Sequence, residues 1–281
     1  MAPTLTILSA QARPVPWNAA ATLEKLEHLV RMHRQVFPHV DLYLFPELFL
    51  TGEDPWTPGP PDYLHRVAEP IPGPLTERLG ALAARTRRWV CAGSVAERAG
   101  RKLHNTALVF DPSGRLVVRY RKVFPWFEDI DRGLEAPPVF EIPRVGKIGV
   151  LICYDGWFPE MARGLAFRGA EIILQPTLTT TADREQELVL ARANAIANQC
   201  YVVNVNAVPS IGGGRSIGVD PHGRVLFELG LEEGFAIETL DLGLVRDARA
   251  NGTRGMSRVL EHARNAPPAV FRAARPPRAG D

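Results

Sequence analysis

An α/β fold built from two similar halves is the architecture that this sequence predicts, and three observations carry it. Short apolar runs rich in β-branched residues alternate with segments of helical spacing along most of the chain. The turn words Asp111-Pro112-Ser113-Gly114-Arg115-Leu116 and Asp220-Pro221-His222-Gly223-Arg224-Val225 nearly coincide, at matching places in the two halves. The length of 281 residues and a hydrophobic share of 46% suffice for one large core or two modest ones, and the segment spacing favours one α/β domain. Two strand–helix–strand units, each followed by a hairpin, suggest two sheets with helices on their outer faces. The alternative for the repeat is two independent hairpins that use the same turn.

Taken in order, Thr4–Ser9 reads as a strand, and Asn18 is placed to cap a helix with Leu23, Leu26, Leu29 and Val30 on one face. Leu42–Phe45 is the second strand and stops at Pro46-Glu47. A Pro- and Gly-rich loop from Thr51 to Pro61 follows, with Trp56 inside it; long irregular segments over an α/β core are often functional. Pro74–Arg85 has helical spacing and Trp89–Val95 is the next strand. Asn105–Phe110 and Leu116–Tyr120 flank the first turn word and lead into Arg121-Lys122. The second half reads as strand Ile148–Ile152, helix Glu160–Arg168, strand Ile172–Leu174, helix Ala182–Asn198 and strand Tyr201–Val205. Ser216–Val219 and Val225–Phe227 then flank the second turn word. From about Arg246 eight arginines and several prolines occur up to Arg278, with little apolar periodicity. The expected organisation is therefore a domain over residues 1–245 and an Arg/Pro-rich tail over 246–281, partly disordered or packed on a partner subunit.

Composition narrows the function classes. A net charge of +2 gives no global pull toward nucleic acid or an anionic membrane, and no aromatics interleave with the tail arginines as single-strand binders require. No apolar run approaches the roughly 18 residues of a membrane span, and the N-terminus reads as a strand instead of a signal peptide. Cys91, Cys153 and Cys200 lie far apart without a paired framework, which fits a reducing, cytoplasmic setting. His28 and His33 miss the spacing that puts two metal ligands on one helix face, so no metal is expected. Gly212-Gly213-Gly214 lacks the Gly-Lys-Ser/Thr ending of a phosphate loop. Only four lysines stand against 29 arginines, so Lys122 beside Arg121 hints at a place where a compact ammonium is needed.

Three apolar strands each end in a residue that is costly to bury unpaired: Glu47, Lys122 and Cys153. Cys153 follows the run Ile148–Ile152 and precedes Pro159, which suits the first position of a helix. A thiol near a helix N-terminus gains thiolate character; the alternative is a buried cysteine that acts as a small hydrophobe. Strand ends on one edge of an α/β sheet converge on one crevice. There the three residues supply an acyl-transfer site: cysteine attacks a carbonyl, glutamate manages protons, and lysine with a backbone N–H stabilises the oxyanion. No histidine lies in these stretches; His104 and His222 sit in or beside hairpins and read as structural or solvated, and Cys91 and Cys200 as packing residues.

The segments Pro46–Gly52 (P-E-L-F-L-T-G), Tyr120–Trp126 (Y-R-K-V-F-P-W) and Gly149–Glu160 (G-V-L-I-C-Y-D-G-W-F-P-E) resemble the three catalytic motifs of the nitrilase superfamily of carbon–nitrogen hydrolases. Further similarity runs through Gly169–Thr177, Arg192–Val203 and Gly214–Gly223, and covers about residues 4–245. The resemblance implies a four-layer αββα sandwich. It implies that Glu47 is the general base, that Cys153 forms a thioester, and that Lys122 with the backbone N–H of Tyr154 forms the oxyanion hole, where loss of one donor costs about 3–4 kcal/mol. Relatives resembling aliphatic amidases carry a further glutamate eight positions beyond the lysine. That position is Ile130 here, so Glu128 is expected to take the role across a shortened loop, with Asp131 as the alternative.

Cys153-Tyr154-Asp155-Gly156-Trp157 resembles the amidase branches more than the nitrile hydrolysers, and Trp126, Phe127, Trp157 and Phe158 are placed to narrow the pocket, unless some of them belong to the core. The expectation is a linear amidase that needs no cofactor, acts on a small-molecule amide and forms a homodimer or larger homo-oligomer. Carbamoyl-amide hydrolysis, nitrile hydrolysis and a catalytically silent binding scaffold are the alternatives.

Overall fold

The computed structural model describes residues 2–54, 58–208, 213–267 and 269. The first half contains β1 (Thr4–Gln11), α1 (Ala19–Val36), β2 (Leu42–Leu44), α2 (Tyr63–Val67), α3 (Pro74–Thr86), β3 (Trp89–Ala99), β4 (Lys102–Phe110) and β5 (Leu116–Arg121). The second contains β6 (Val139–Ile142), β7 (Gly146–Val150), α4 (Pro159–Phe167), β8 (Ile172–Thr177), α5 (Arg184–Asn198), β9 (Tyr201–Asn206), β10 (Ile217–Val219) and β11 (Val225–Glu228). β12 (Gly234–Asp241), α6 (Leu242–Asn251) and α7 (Val259–Asn265) follow. One sheet runs β12-β1-β2-β3-β4-β5 and the other β11-β10-β9-β8-β7-β6.

The layering follows from strands that bury both faces. In β1, Leu5 and Ile7 point between the sheets, whereas Leu8 and Ala10 point outward under α1 and α3, as the two-residue period of a strand requires. Asn18 caps α1 by accepting the Ala21 N–H at 3.0 Å, and Leu23, Leu26 and Val30 seat that helix on the first sheet. Ala162 and Leu165 of α4, with Leu188, Ala191 and Ala195 of α5, cover Ile173, Val202 and Ile217 on the second. Between the sheets Leu44, Val109 and Tyr120 meet Ile148, Val150, Leu174 and Val203. The result is the αββα sandwich expected above.

Two departures from the sequence expectations concern the chain's later part. β12 was absent from the expected elements; it pairs antiparallel with β1 over its full length, from Thr4 opposite Asp241 to Gln11 opposite Gly234. The expected domain boundary after residue 245 falls inside α6, whose Val245 is fully buried as part of the central core. Arg249 of α6 donates to the Gln199 carbonyl at 3.0 Å, and Gln199 Oε1 accepts the Leu260 N–H of α7 at 3.0 Å. The arginines at the start of the tail thus act as helix anchors. Trp56, Gly212 and the chain from residue 270 onward lie outside the described residues. Among the described residues no helix is long and apolar enough to cross a membrane.

Candidate active site

Glu47 follows β2 at a corner that one glycine makes possible. Gly93 interrupts β3 with φ +73°, and a Cβ there would lie 1.8 Å from the Pro46 carbonyl oxygen. Only glycine lets the Pro46-Glu47 backbone pass so close, at a φ that other residues rarely adopt. The next residue, Leu48, takes φ +49° and donates its N–H to Ser94 Oγ at 3.0 Å. Glu47 is thereby turned inward and is buried.

Lys122 directly follows β5. Its N–H donates to the Asn105 carbonyl at 2.8 Å and its carbonyl accepts the Gly133 N–H at 2.7 Å. Its ammonium lies 2.6 Å from Glu47 Oε1, with both side chains almost entirely buried. Asn105 Nδ2 donates to the same oxygen at 2.7 Å, and Glu47 Oε2 accepts the Leu178 N–H at 2.9 Å. Burial alone would push the Lys122 pKa down; the Glu47 carboxylate, with a smaller contribution from Cys153, outweighs it and raises the pKa above the usual lysine value.

Cys153 sits at φ +44° on the turn between β7 and α4. A non-glycine residue held in that region carries strain that its surroundings must offset, and here several hydrogen bonds do so. Gln175 Nε2 donates to the Cys153 carbonyl at 2.9 Å, and Asn194 Nδ2 to the Gly156 carbonyl at 2.8 Å. Asp155, fully buried, accepts from the Phe124 N–H at 3.0 Å, the Tyr120 hydroxyl at 2.8 Å and the Ile152 N–H at 3.3 Å. It joins the cysteine turn to the residues on both sides of Lys122. Burial raises the Asp155 pKa, against the lowering effect of Lys122 and of these hydrogen bonds.

Of the two readings of the thiol offered by the sequence, the structure places it in buried surroundings. Burial first and the Glu47 carboxylate second raise the Cys153 pKa well above its usual value, although Lys122 and Thr179 pull the other way. Cys153 lies on a short 3-10 turn ahead of α4, outside the first turn of that helix, where the dipole acts.

Glu47, Lys122 and Cys153 line one cavity of about 160 Å³. Tyr154, Trp126 and Trp157, expected around the substrate, are part of its wall, with Phe127, Ile130 and Leu178. Trp126 packs edge-on against Tyr154 at 5.2 Å and is 61% exposed, so it forms the rim. The expectation for Glu128 needs correction. It is exposed and lines the neighbouring cavity formed by residues 125–132, while Ile130 occupies the inner wall. The Phe127–Ile130 turn buries Ile130 and leaves the Glu128 carboxylate in solvent. Asp131 also points elsewhere: its Oδ2 accepts the Leu103 N–H at 3.1 Å and its carbonyl pairs with His104 Nδ1 at 2.8 Å. Asn105, Asp155 and Thr179 were missed. Their signal was a polar residue inside or just after an apolar strand. Among the described residues no group of three or more His, Cys, Asp or Glu side chains is placed to hold a metal ion.

This fold and this cavity define a hydrolase class, and sequence comparison agrees: the chain belongs to the carbon-nitrogen hydrolase family, whose pattern matches residues 6–250. The resemblance noted above thus holds at the level of the nitrilase superfamily. A hydrolase in the pqqF 5' region of Pseudomonas protegens is 32% identical over 88% of this chain and 86% of its own length. Mouse omega-amidase NIT2 is 33% identical over 67% of this chain and 73% of its own. A formamidase of Allorhizobium ampelinum is 32% identical over 72% of this chain, which spans 59% of that enzyme. Among solved structures, Saccharomyces cerevisiae Nit3, a member of branch 10 of the nitrilase superfamily, superimposes with TM-score 0.80 at 25% identity, covering 91% of this chain and 97% of its own. An amidase from a Nesterenkonia species shares the fold at TM-score 0.74 and 24% identity, covering 94% and 97% of the two chains.

Proposed function

We propose that this protein hydrolyses small linear amides to a carboxylic acid and ammonia through a thioester on Cys153. The observation that carries the reading is the convergence of Glu47, Lys122 and Cys153, from three separate strand ends, on one largely apolar cavity. A thiol whose pKa burial has raised is a poor nucleophile at rest, so its proton must be removed when substrate arrives. Glu47 takes that proton and the sulfur attacks the amide carbon. The oxyanion forms against the Lys122 ammonium and the Tyr154 N–H. Glu47 passes the proton to the leaving ammonia, then activates the water that opens the thioester.

The cavity volume suits a short acyl chain held against Trp126, Phe127, Ile130, Tyr154 and Leu178. Similarity to an omega-amidase and to formamidases supports the same substrate size. A homo-oligomeric, cytoplasmic enzyme belongs to this reading; three unpaired buried thiols fit a reducing compartment.

The test is ammonia release from a panel of short aliphatic amides, carbamoyl compounds and nitriles, run beside Cys153→Ala. Release from amides that vanishes in the variant supports the proposal. Preference for nitriles or carbamoyl compounds would replace the substrate class, and release that persists in the variant would sink the role of Cys153.

A further inference from the structure

Beside the sulfur stands a hydroxyl to which the steps above give no role. Thr179 lies just past β8; it and Cys153 are both buried, and its Oγ1 is 3.5 Å from Cys153 Sγ. Its backbone is held on both sides by one amide. The Thr179 N–H donates to Asn206 Oδ1 at 2.9 Å, and Asn206 Nδ2 donates back to the Thr179 carbonyl at 2.7 Å. Asn206 is held in turn: its N–H donates to Ser216 Oγ at 2.9 Å, and the Ser216 N–H donates to Gln11 Oε1 at 2.8 Å. Asn206, Ser216 and Gln11 are all fully buried. This buried relay links β9 of one sheet to β1 of the other and fixes the threonine backbone beside the sulfur.

The sulfur needs such a partner. Burial and the Glu47 carboxylate both oppose a thiolate. The ammonium that favours it is already bonded to Glu47 at 2.6 Å and is shared with the substrate oxygen in the reading above. We propose that Thr179 is a further catalytic residue: its hydroxyl donates a hydrogen bond to Cys153 Sγ as the thiol proton leaves for Glu47, and holds the thiolate in line with the acyl carbon. The S–H bond breaks and a proton appears on Glu47; the threonine keeps its own proton throughout. The inference rests on Cys153 being the nucleophile.

The experiment compares full-length wild type, Thr179→Val and Thr179→Ser. The rate of iodoacetamide alkylation is followed at Cys153 by peptide mass spectrometry from pH 6 to 10, with melting curves to confirm that each variant folds. Valine keeps the shape and removes the donor; serine keeps the donor. The expected result is an alkylation profile moved up by about one pH unit in Thr179→Val, so roughly tenfold slower at each pH below its midpoint, with serine tracking wild type. In turnover, kcat falls in step with alkylation while KM holds. A valine profile that overlays wild type, or a serine profile displaced as far as valine, would overturn the proposal. Alkylation needs no amide substrate, so failure of the amidase reading would appear separately, as absent ammonia release with the valine shift intact.

Discussion

Lys122 Nζ lies 2.6 Å from Glu47 Oε1 although 75 residues separate them, and the pair is buried between strand ends. Removing one member strands the other charge in a dry site. Lys122→Met is expected to lower stability by about 3–5 kcal/mol in urea unfolding and to reduce turnover below detection. Glu47→Gln combined with Lys122→Met should cost less than the two single changes added together. Strict additivity in that cycle would mean that the pair is not coupled.

Asp155 holds the Cys153 turn to the segment around Lys122 through Tyr120 and Phe124. Asp155→Asn keeps the shape and loses acceptor capacity in a buried place. The expected cost is about 1–3 kcal/mol, together with a fall in kcat larger than any change in KM. Unchanged kinetics in a folded variant would reduce Asp155 to a packing residue.

Gly93→Ala tests the corner that aims Glu47. A methyl group at φ +73°, placed 1.8 Å from a carbonyl oxygen, forces the Pro46-Glu47 backbone to shift. The variant should lose more than about 2 kcal/mol and most of its ammonia release. Wild-type melting and activity would show that the corner tolerates displacement.

The acid limb of stability has a named contributor. Burial opposes the charge of Glu97, but hydrogen bonds from Arg121, Arg119 and Thr106 outweigh it and hold the carboxyl at about 2, against 4.5 when free. Between those values the unfolded chain binds more protons, so stability rises with pH across the window. The contribution is complete above about pH 4.5 and is lost as pH falls through about 2. Glu97→Gln should therefore be less stable near neutrality and should show a flatter acid limb in pH-dependent urea unfolding. An unaltered slope would assign the acid limb to other carboxyls.

Leu260 measures whether the start of the Arg-rich segment belongs to the fold. It is 2% exposed, and its N–H is bonded to Gln199. Leu260→Ala is expected to cost about 2–4 kcal/mol, visible as a melting shift of roughly 5–15 °C. A surface tail would give no shift.

Much of this molecule was legible in the chain because local rules carried it. The run Ile148–Ile152, the capping Asn18 and the paired turn words are short-range signals, and the elements they predict stand within a few residues of their expected places, whereas the short β6 and α2 had no expected counterpart. The meeting of Glu47, Lys122 and Cys153 at one cavity follows a similar signal, since a charged or nucleophilic side chain at the end of an apolar strand stands out against its neighbours. β12 escaped because it is half-exposed and mixes Glu238 and Thr239 with Phe235 and Ile237, a pattern that becomes a strand only once β1 offers its edge. The segment after residue 245 looked like a tail because its few apolar residues, Val245, Ala248 and Leu260, show their value only when packed.

The sequence by itself determined the layered α/β fold, the family and the chemistry available at Glu47, Lys122 and Cys153. Tertiary structure alone decided which acid stays away, as with exposed Glu128, and which polar groups arrive, as with Asn105, Asp155 and Thr179. It also decided that burial and the Glu47 carboxylate raise the pKa of the thiol. The physical reason is common to these cases. Burial and hydrogen-bond partnership depend on residues tens to hundreds of positions apart, and a linear reading contains the donors and acceptors but not the dielectric in which they meet.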